Sequence, residues 1–574
     1  MRRAWALVAC LWLRCALAGH PLVCSPSDHG AVGDGRTLDT EAVVSAVAAC
    51  QDGGVVRFRP GRYLLGGLTL SGSVRLDLPT GVQLVASAQR EHYGPRQDGW
   101  YLLDFHLCSG CSLTGAGVVS GCAAAFTVGS ESPRRVRNWS DRSCGVRAQC
   151  RPRLVGVRHS SGVLISGVTL RDSAFWTLHV LHSDHVRVLG VTVLGDFDFP
   201  NNDGIDIDGS SYVTVEGCHV TTADDAVCLK TTRDAPATHH VRVANCTLRS
   251  RSAAVKLGSE TRADITDITF EHLQVLDSNR GLAIQLRDHG SVRNVTFQHI
   301  SVFTRQYPGR WWGGGEPMYV TALPRWPLAR VGQLANVTFR NVVAETRGGL
   351  VVVAGSPESV LRGVAFEDVR VTLYPPPELV AEPGAAADPA DPGVKLDLRP
   401  GPYDVRTLAA PPAPFLVQFV SGLDLRNVTL ELVERAALNA SNGSAAAVGA
   451  WWGRWRRRQA TAAAASGTSG WLGRLAAWWR GERQAGAGGM AWCYELVELT
   501  VKGVMAERVQ VLHSGGAQSQ LPTRFMVAEV ANWWLMGLVL LTGVALITAV
   551  MAARGSRPHP RSARCHSPRE TAAM

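Results

Sequence analysis

A short phrase recurs along this chain: an apolar residue, two polar or small residues, then a second apolar residue. It reads Ile165-Ser-Gly-Val168, Val188-Leu-Gly-Val191, Val215-Glu-Gly-Cys218, Val243-Ala-Asn-Cys246, Phe270-Glu-His-Leu273, Phe297-Gln-His-Ile300, Phe339-Arg-Asn-Val342, Phe366-Glu-Asp-Val369 and Leu425-Arg-Asn-Val428. The closing residues lie 23, 27, 28, 27, 27, 42, 27 and 59 positions apart. A repeat in the twenties, built from short alternating stretches of Val, Ile, Thr and Phe without helical spacing, is what stacked β-coils require. Leucine-rich repeats share the period but need a leucine frame, and propeller blades need about 40 residues. The expected fold is therefore all-β, a right-handed parallel β-helix solenoid with an N-terminal capping helix. The two wide gaps mark insertions, one holding Trp311, Trp312 and Glu316, the other Pro-rich from 375 to 414. The first insertion reads either as a sugar-stacking loop or as a structural plug.

The ends add their own signals. Asp39 stands where it would cap a helix whose residues Ala42, Val43, Ala46 and Val47 share one face, suited to closing the first coil. Met1-Arg2-Arg3, a mostly apolar run to Leu17 and small Ala18 and Gly19 read as a secretory signal peptide over 1–19. Residues 533–553 carry no charge, open on Trp533 and Trp534 and precede Arg554, Arg557, Arg561 and Arg564. That pattern predicts one C-terminal transmembrane helix with a basic cytoplasmic tail at 554–574, hence a single-pass type I protein at the cell surface. Between them the expected order is a β-helix domain over 20–435, a low-complexity Ala/Gly/Arg/Trp insertion over 436–489, and last strands with a juxtamembrane segment over 490–532. The net charge of +10 sits largely at Arg454, Arg456, Arg457, Arg458 and in the tail, so nucleic acid is not an expected partner.

Secretion permits disulfides and glycans. Eleven of the 14 cysteines lie between signal and tail, an odd number, so at least one is unpaired or bridges to another chain. Cys218 and Cys246 occupy one repeat position and read as stacked thiols or a disulfide, with Cys228 a competitor. Sequons stand at Asn138, Asn245, Asn294, Asn336, Asn427, Asn439 and Asn442.

A second series of short strands falls between the phrases: Gly204-Ile-Asp-Ile-Asp208, Ala226-Val-Cys-Leu-Lys230, Ala254-Val-Lys-Leu-Gly258 and Ala283-Ile-Gln-Leu-Arg287. Stacked in register at about 4.8 Å, these coils set Asp203 beside Asp225 and Asn202 beside Asp224. Like charges so crowded raise at least one pKa, which keeps one carboxyl protonated as an acid while a neighbour stays ionised as a base. Two other readings stay open here: solvated turn aspartates beside Gly204 and Gly209, and a calcium site.

Pro200-Asn-Asn-Asp-Gly-Ile-Asp206 and Ala223-Asp-Asp-Ala-Val-Cys-Leu-Lys230 resemble the two aspartate motifs of the polygalacturonases, glycoside hydrolase family 28. Asp34-Gly35, Asp39-Thr40, Gly53-Gly54, Arg151-Pro-Arg-Leu154 and Ser173-Ala-Phe-Trp-Thr-Leu-His179 resemble that family in the same order, over roughly 27 to 373. The resemblance implies that Asp224 is the general acid and that Asp203 and Asp225 activate a water for inversion, with no metal or cofactor. It implies an acidic, pectin-type polysaccharide as substrate. Asn201, Lys230, Lys256, Arg280 and Arg287 are the candidate substrate-binding residues.

The chain departs from the family twice. Ser252-Ala-Ala254 stands where the family has Gly-His-Gly, and Ala283-Ile-Gln285 where it has Arg-Ile-Lys. Lys256 draws notice, because lysine otherwise occurs only at Lys230, Lys395 and Lys502. The departures keep a glycan-binding β-helix of altered specificity open as a rival. A lyase or epimerase on the same scaffold is the second rival, and retention of all three aspartates argues against it.

Overall fold

The computed structural model describes residues 21–50, 53–94, 100–126, 151–307, 313–326, 329–374, 415–433, 501–507, 510–513 and 518–520. The expected signal peptide, low-complexity insertion, membrane span and tail lie outside them, as do Trp311 and Trp312. Among the described residues no helix is long and apolar enough to cross a membrane.

The repeat phrase is a bend. Its third residue has a left-handed backbone in all nine copies: Gly167, Gly190 and Gly217 (φ 74, 60 and 66°), then Asn245, His272, His299, Asn341, Asp368 and Asn427 (φ 51 to 55°). Glycine, asparagine, aspartate and histidine are the residues that tolerate this region. The two apolar residues around each bend point inward and are buried. Early coils break at the bend into paired short strands such as Leu164–Ser166 and Thr169–Arg171, whereas later coils run through it as single strands of 14 residues, Val292–Arg305 and Leu334–Arg347.

Each coil thus lays its strands beside those of the next, and the result is a parallel β-helix. One sheet holds eleven parallel strands, from Leu68–Gly72 to Phe415–Gln418. The others form a second system whose pairings are parallel except Gln510–His513 with Gln518–Gln520. Phe270, Phe297, Phe339 and Phe366 stack in successive coils with ring centroids 4.9 to 5.0 Å apart, the spacing that parallel strands impose on like residues. Ile300 sits in register with Val342 and is 2% exposed. Ile300→Val should lower unfolding free energy by about 0.5–1.5 kcal/mol, read by urea denaturation; an unchanged midpoint would mean the coil closes over the lost methyl.

The helix Thr40–Ala49 follows Asp39 and buries Val43, Ala46 and Val47. The expected capping bond is not made. The Asp39 carboxylate instead accepts the backbone N–H groups of Val32 (2.7 Å) and Gly33 (3.0 Å). Those donors sit in a loop with no ladder partner, so the carboxylate satisfies them rather than the helix end. Cys24–Cys50 and Cys108–Cys111 form disulfides. Cys218 and Cys246 are buried free thiols, with Cys218 N–H donating to Cys246 Sγ at 3.4 Å; Cys228 is buried and free as well.

Candidate active site

On the eleven-stranded sheet, Ile205, Val227, Val255 and Leu282 stand in register and face the core, while their neighbours Asp206, Cys228, Lys256 and Ala283 face out. The ladder extends one step further: Gly204 N–H donates to Asp225 O at 2.8 Å and Ile205 N–H to Ala226 O at 3.0 Å. Asp203 and Asp225 are therefore cross-strand neighbours. Asn202 turns its Oδ1 to the N–H groups of Ala223 (2.9 Å) and Asp224 (3.1 Å), which holds the paired-aspartate bend against the preceding coil. Oxygens of Asp203, Asp224 and Asp225 all fall within 4.8 Å of one another, and all three residues are buried.

Two lysines meet this charge. Lys230 Nζ lies 3.0 Å from Asp203 Oδ2 and 2.8 Å from Asp206 Oδ1, and 3.9 Å from the Trp176 ring centre. Lys256 Nζ lies 2.7 Å from Asp225 Oδ2. Asp225 Oδ1 accepts Ser252 Oγ–H (2.9 Å) and Ala253 N–H (3.3 Å). Lys256 is thus a buried counter-ion rather than a surface lysine, and it holds an acid. One oxygen of Asp203 and one of Asp225 thus already accept ammonium groups.

Four buried carboxyls facing two ammonium groups cannot all be ionised. Burial, outweighing Lys230, drives the Asp206 carboxyl well above the usual carboxylate range. Burial and then the charges of Asp203 and Asp225 push Asp224 up to about 7. Asp203 is raised as well, by burial against the pull of Lys230. Asp225 goes the other way: burial works to raise it, but Lys256, Lys230 and the Ser252 hydroxyl together hold it below its ordinary value. One acid thus keeps its proton near neutrality beside one that is kept ionised.

The other expected residues divide. Asn201 lies in the site: its N–H and Nδ2 reach Asp224 Oδ2 at 3.3 and 3.4 Å, and its Oδ1 accepts from Arg151 Nη2 at 2.8 Å. Arg280 shares the row of Asp225 and Ala253, but its Nε donates to Glu316 Oε2 at 3.1 Å and its guanidinium covers the Tyr319 ring at 3.8 Å. Glu316, 1% exposed, is thereby a plug for Arg280. Arg287 stands at the opposite end of Arg280–Leu286, roughly 20 Å along the strand, with Nη2 on Pro324 O at 3.3 Å; it is not brought to the acids. Asp206, Ser252, Trp176 and Arg151 are neighbours of the cluster that the sequence reading did not select. Asp206 was open to discovery: alternation with Ile205 and Ile207 puts it on the face of Lys230.

A parallel β-helix that gathers acids on one sheet, with Asp224 pushed up to about 7 beside an Asp225 held below its ordinary value, offers a proton donor next to a base. The profile of Glycosyl hydrolases family 28 matches residues 50–379. The chain belongs to that family, and is a glycoside hydrolase. A probable polygalacturonase of Vitis vinifera is 25% identical over 376 residues, which cover 60% of this chain and 73% of that one. A probable endo-xylogalacturonan hydrolase A of Neosartorya fischeri is 26% identical, covering 49% and 68%. In structure, the family 28 exopolygalacturonase of Yersinia enterocolitica superposes with a TM-score of 0.54 at 19% identity, covering 72% of this chain and 75% of that one. The exopolygalacturonase of Thermotoga maritima gives 0.53 at 19%, covering 71% and 91%.

Proposed function

We propose that this protein hydrolyses glycosidic bonds of an acidic, pectin-type polysaccharide at the cell surface, with inversion at the anomeric carbon. The observation that carries the reading is the contrast within the acid cluster: Asp224 pushed up to about 7 beside Asp225 clamped by Lys256. Asp224 protonates the departing glycosidic oxygen. Asp203 and Asp225 hold the attacking water, and Asp203 Oδ1, which has no hydrogen-bond partner among the described residues, takes its proton. Lys256 keeps Asp225 ionised, Lys230 pulls Asp203 toward ionisation against its burial, and Asn201 orients Asp224. The signal peptide, glycans, right-handed coil and C-terminal membrane anchor expected from sequence complete the reading of a tethered ectodomain. The names of the Vitis and Neosartorya relatives support a galacturonan or xylogalacturonan backbone as substrate.

The close spacing of the acids, within 4.8 Å, favours a second reading, since retaining pairs stand about 5–5.5 Å apart and inverting pairs about 6.5–9.5 Å. Proton NMR of the first product separates the two: the opposite anomer reports inversion, the same anomer a covalent intermediate on Asp203. The primary test is release of reducing ends from pectic and algal polysaccharides by the full-length protein. Folded protein that releases none from any of them refutes the hydrolase reading, and products with an ultraviolet-absorbing unsaturated sugar would make it a lyase.

A further inference from the structure

The row that contains Asp203 and Asp225 continues across earlier coils. Thr177 N–H donates to Asp203 O at 2.8 Å and Leu154 N–H to Trp176 O at 3.1 Å, so Trp176 stands beside Asp203 and Arg153 beside Trp176. Arg153 is in turn paired with Tyr101. Read along the helix axis, the row is Tyr101, Arg153, Trp176, Asp203, Asp225 and Ala253. Two coil steps, roughly 10 Å at about 4.8 Å each, separate the Arg153 and Asp203 backbones, a span of about two sugar units.

Arg153 differs from the other basic side chains on this face. Arg158 is bound to Asp104 at 2.6 Å, Lys230 to Asp203 and Asp206, Lys256 to Asp225 and Arg280 to Glu316. Arg151 donates to Pro200 O and Asn201 Oδ1, both at 2.8 Å. Arg153 makes no side-chain hydrogen bond and no ion pair among the described residues, and its Nε is buried without a partner. Its guanidinium lies against three rings: Trp176 at 4.7 Å, Phe175 at 4.9 Å and Tyr101 at 5.4 Å. Stacking fixes the plane of the fork and leaves its donors unspent. Arg153 and Trp176 are only partly buried, so a ligand reaches them. On the other side of the acids, the corresponding face is Ala253 and Ala283, both buried, with Arg280 already neutralised.

We propose that Arg153 is a substrate-binding residue that receives the carboxylate of an acidic sugar two coils on the N-terminal side of the acid cluster, so that recognition of the uronate lies upstream of the cleaved bond. This rests on the hydrolase reading above. The guanidinium offers two parallel N–H donors to the carboxylate, and Trp176 offers its ring as a wall for the sugar face. On the Ala253 and Ala283 side, the lysine and arginine that the row and its neighbour carry, Lys256 and Arg280, are already paired with Asp225 and Glu316.

The test is calorimetric binding of an oligogalacturonide and of its carboxyl-reduced counterpart to the full-length chain carrying Asp224→Asn, which slows cleavage enough for binding to be read. Adding Arg153→Gln should weaken the carboxylated ligand about 10- to 100-fold and leave the reduced one within about twofold; Arg153→Lys should recover part of the loss. Matched melting temperatures exclude misfolding. If Arg153→Gln weakens both ligands equally, or neither, the proposal is overturned while hydrolysis of pectic substrates by the parent leaves the parent reading standing. If the parent protein binds neither ligand and releases no reducing ends, both fall.

Discussion

Asp224→Asn is expected to lower turnover by about 10²- to 10⁴-fold while leaving the protein folded. An amide in this position keeps the shape of the side chain and its contact with Asn201, but it has no proton to give to the leaving oxygen. The parent enzyme should lose activity as pH rises through about 7, because burial and the charges of Asp203 and Asp225 hold the Asp224 proton up to about that point. Asn at 224 removes that limb from whatever activity remains. Stability gives an independent reading. A carboxyl whose folded pKa is raised contributes stability that is fully present below its ordinary value near 4 and is lost as pH rises through about 7. The parent's melting temperature should therefore carry a decline across that window which Asp224→Asn flattens. A variant with full activity, or one whose pH limb stays at about 7, would remove Asp224 from the acid role.

The coil was legible from the spacing of the bend phrases, and the acid pair from strand alternation. Gly204-Ile-Asp-Ile-Asp208 and Ala226-Val-Cys-Leu-Lys230 lie 22 positions apart, and alternation leaves them a single register, since a slip of one residue would turn Ile205 and Ile207 outward. The function of each phrase was less legible: the left-handed third residue appears only once Gly167, Asn245 and His299 are seen at one bend. Arg280 misled for a different reason. Its counter-ion Glu316 comes from within the 42-residue gap, and no repeat arithmetic places a residue inside an insertion of unknown path. Asp39 shows local and tertiary demands competing, since its position before Thr40 is that of a cap, yet the unpaired amides of Val32 and Gly33 take its oxygens. Arg153 carried no signal by itself, because what distinguishes it is the partners its neighbours have and it lacks.

Lys256→Met should be the most damaging single change to stability in the site, about 3–5 kcal/mol by chemical denaturation. Methionine matches the length of the lysine stem, so the loss is of charge rather than of volume. Asp225 would then face Asp203 and Asp224 with Lys230 as the nearest remaining cation and the Ser252 hydroxyl as its chief donor. Asp225 is now held below its ordinary pKa, with Lys256 foremost among the groups that lower it. That stability is present above the ordinary carboxyl range and is lost as pH falls through the depressed value. Without Lys256 the Asp225 proton returns at higher pH, so the acid limb of activity should move upward, and stability should fall most near neutrality. The double variant Lys256→Met with Asp225→Asn removes both charges of the pair and should recover most of the stability but not the activity. That non-additivity distinguishes an ion pair from a packing role, in which the two losses would simply sum. If Lys256→Met unfolds like the parent and its acid limb does not move, Lys256 is not the group that keeps Asp225 ionised.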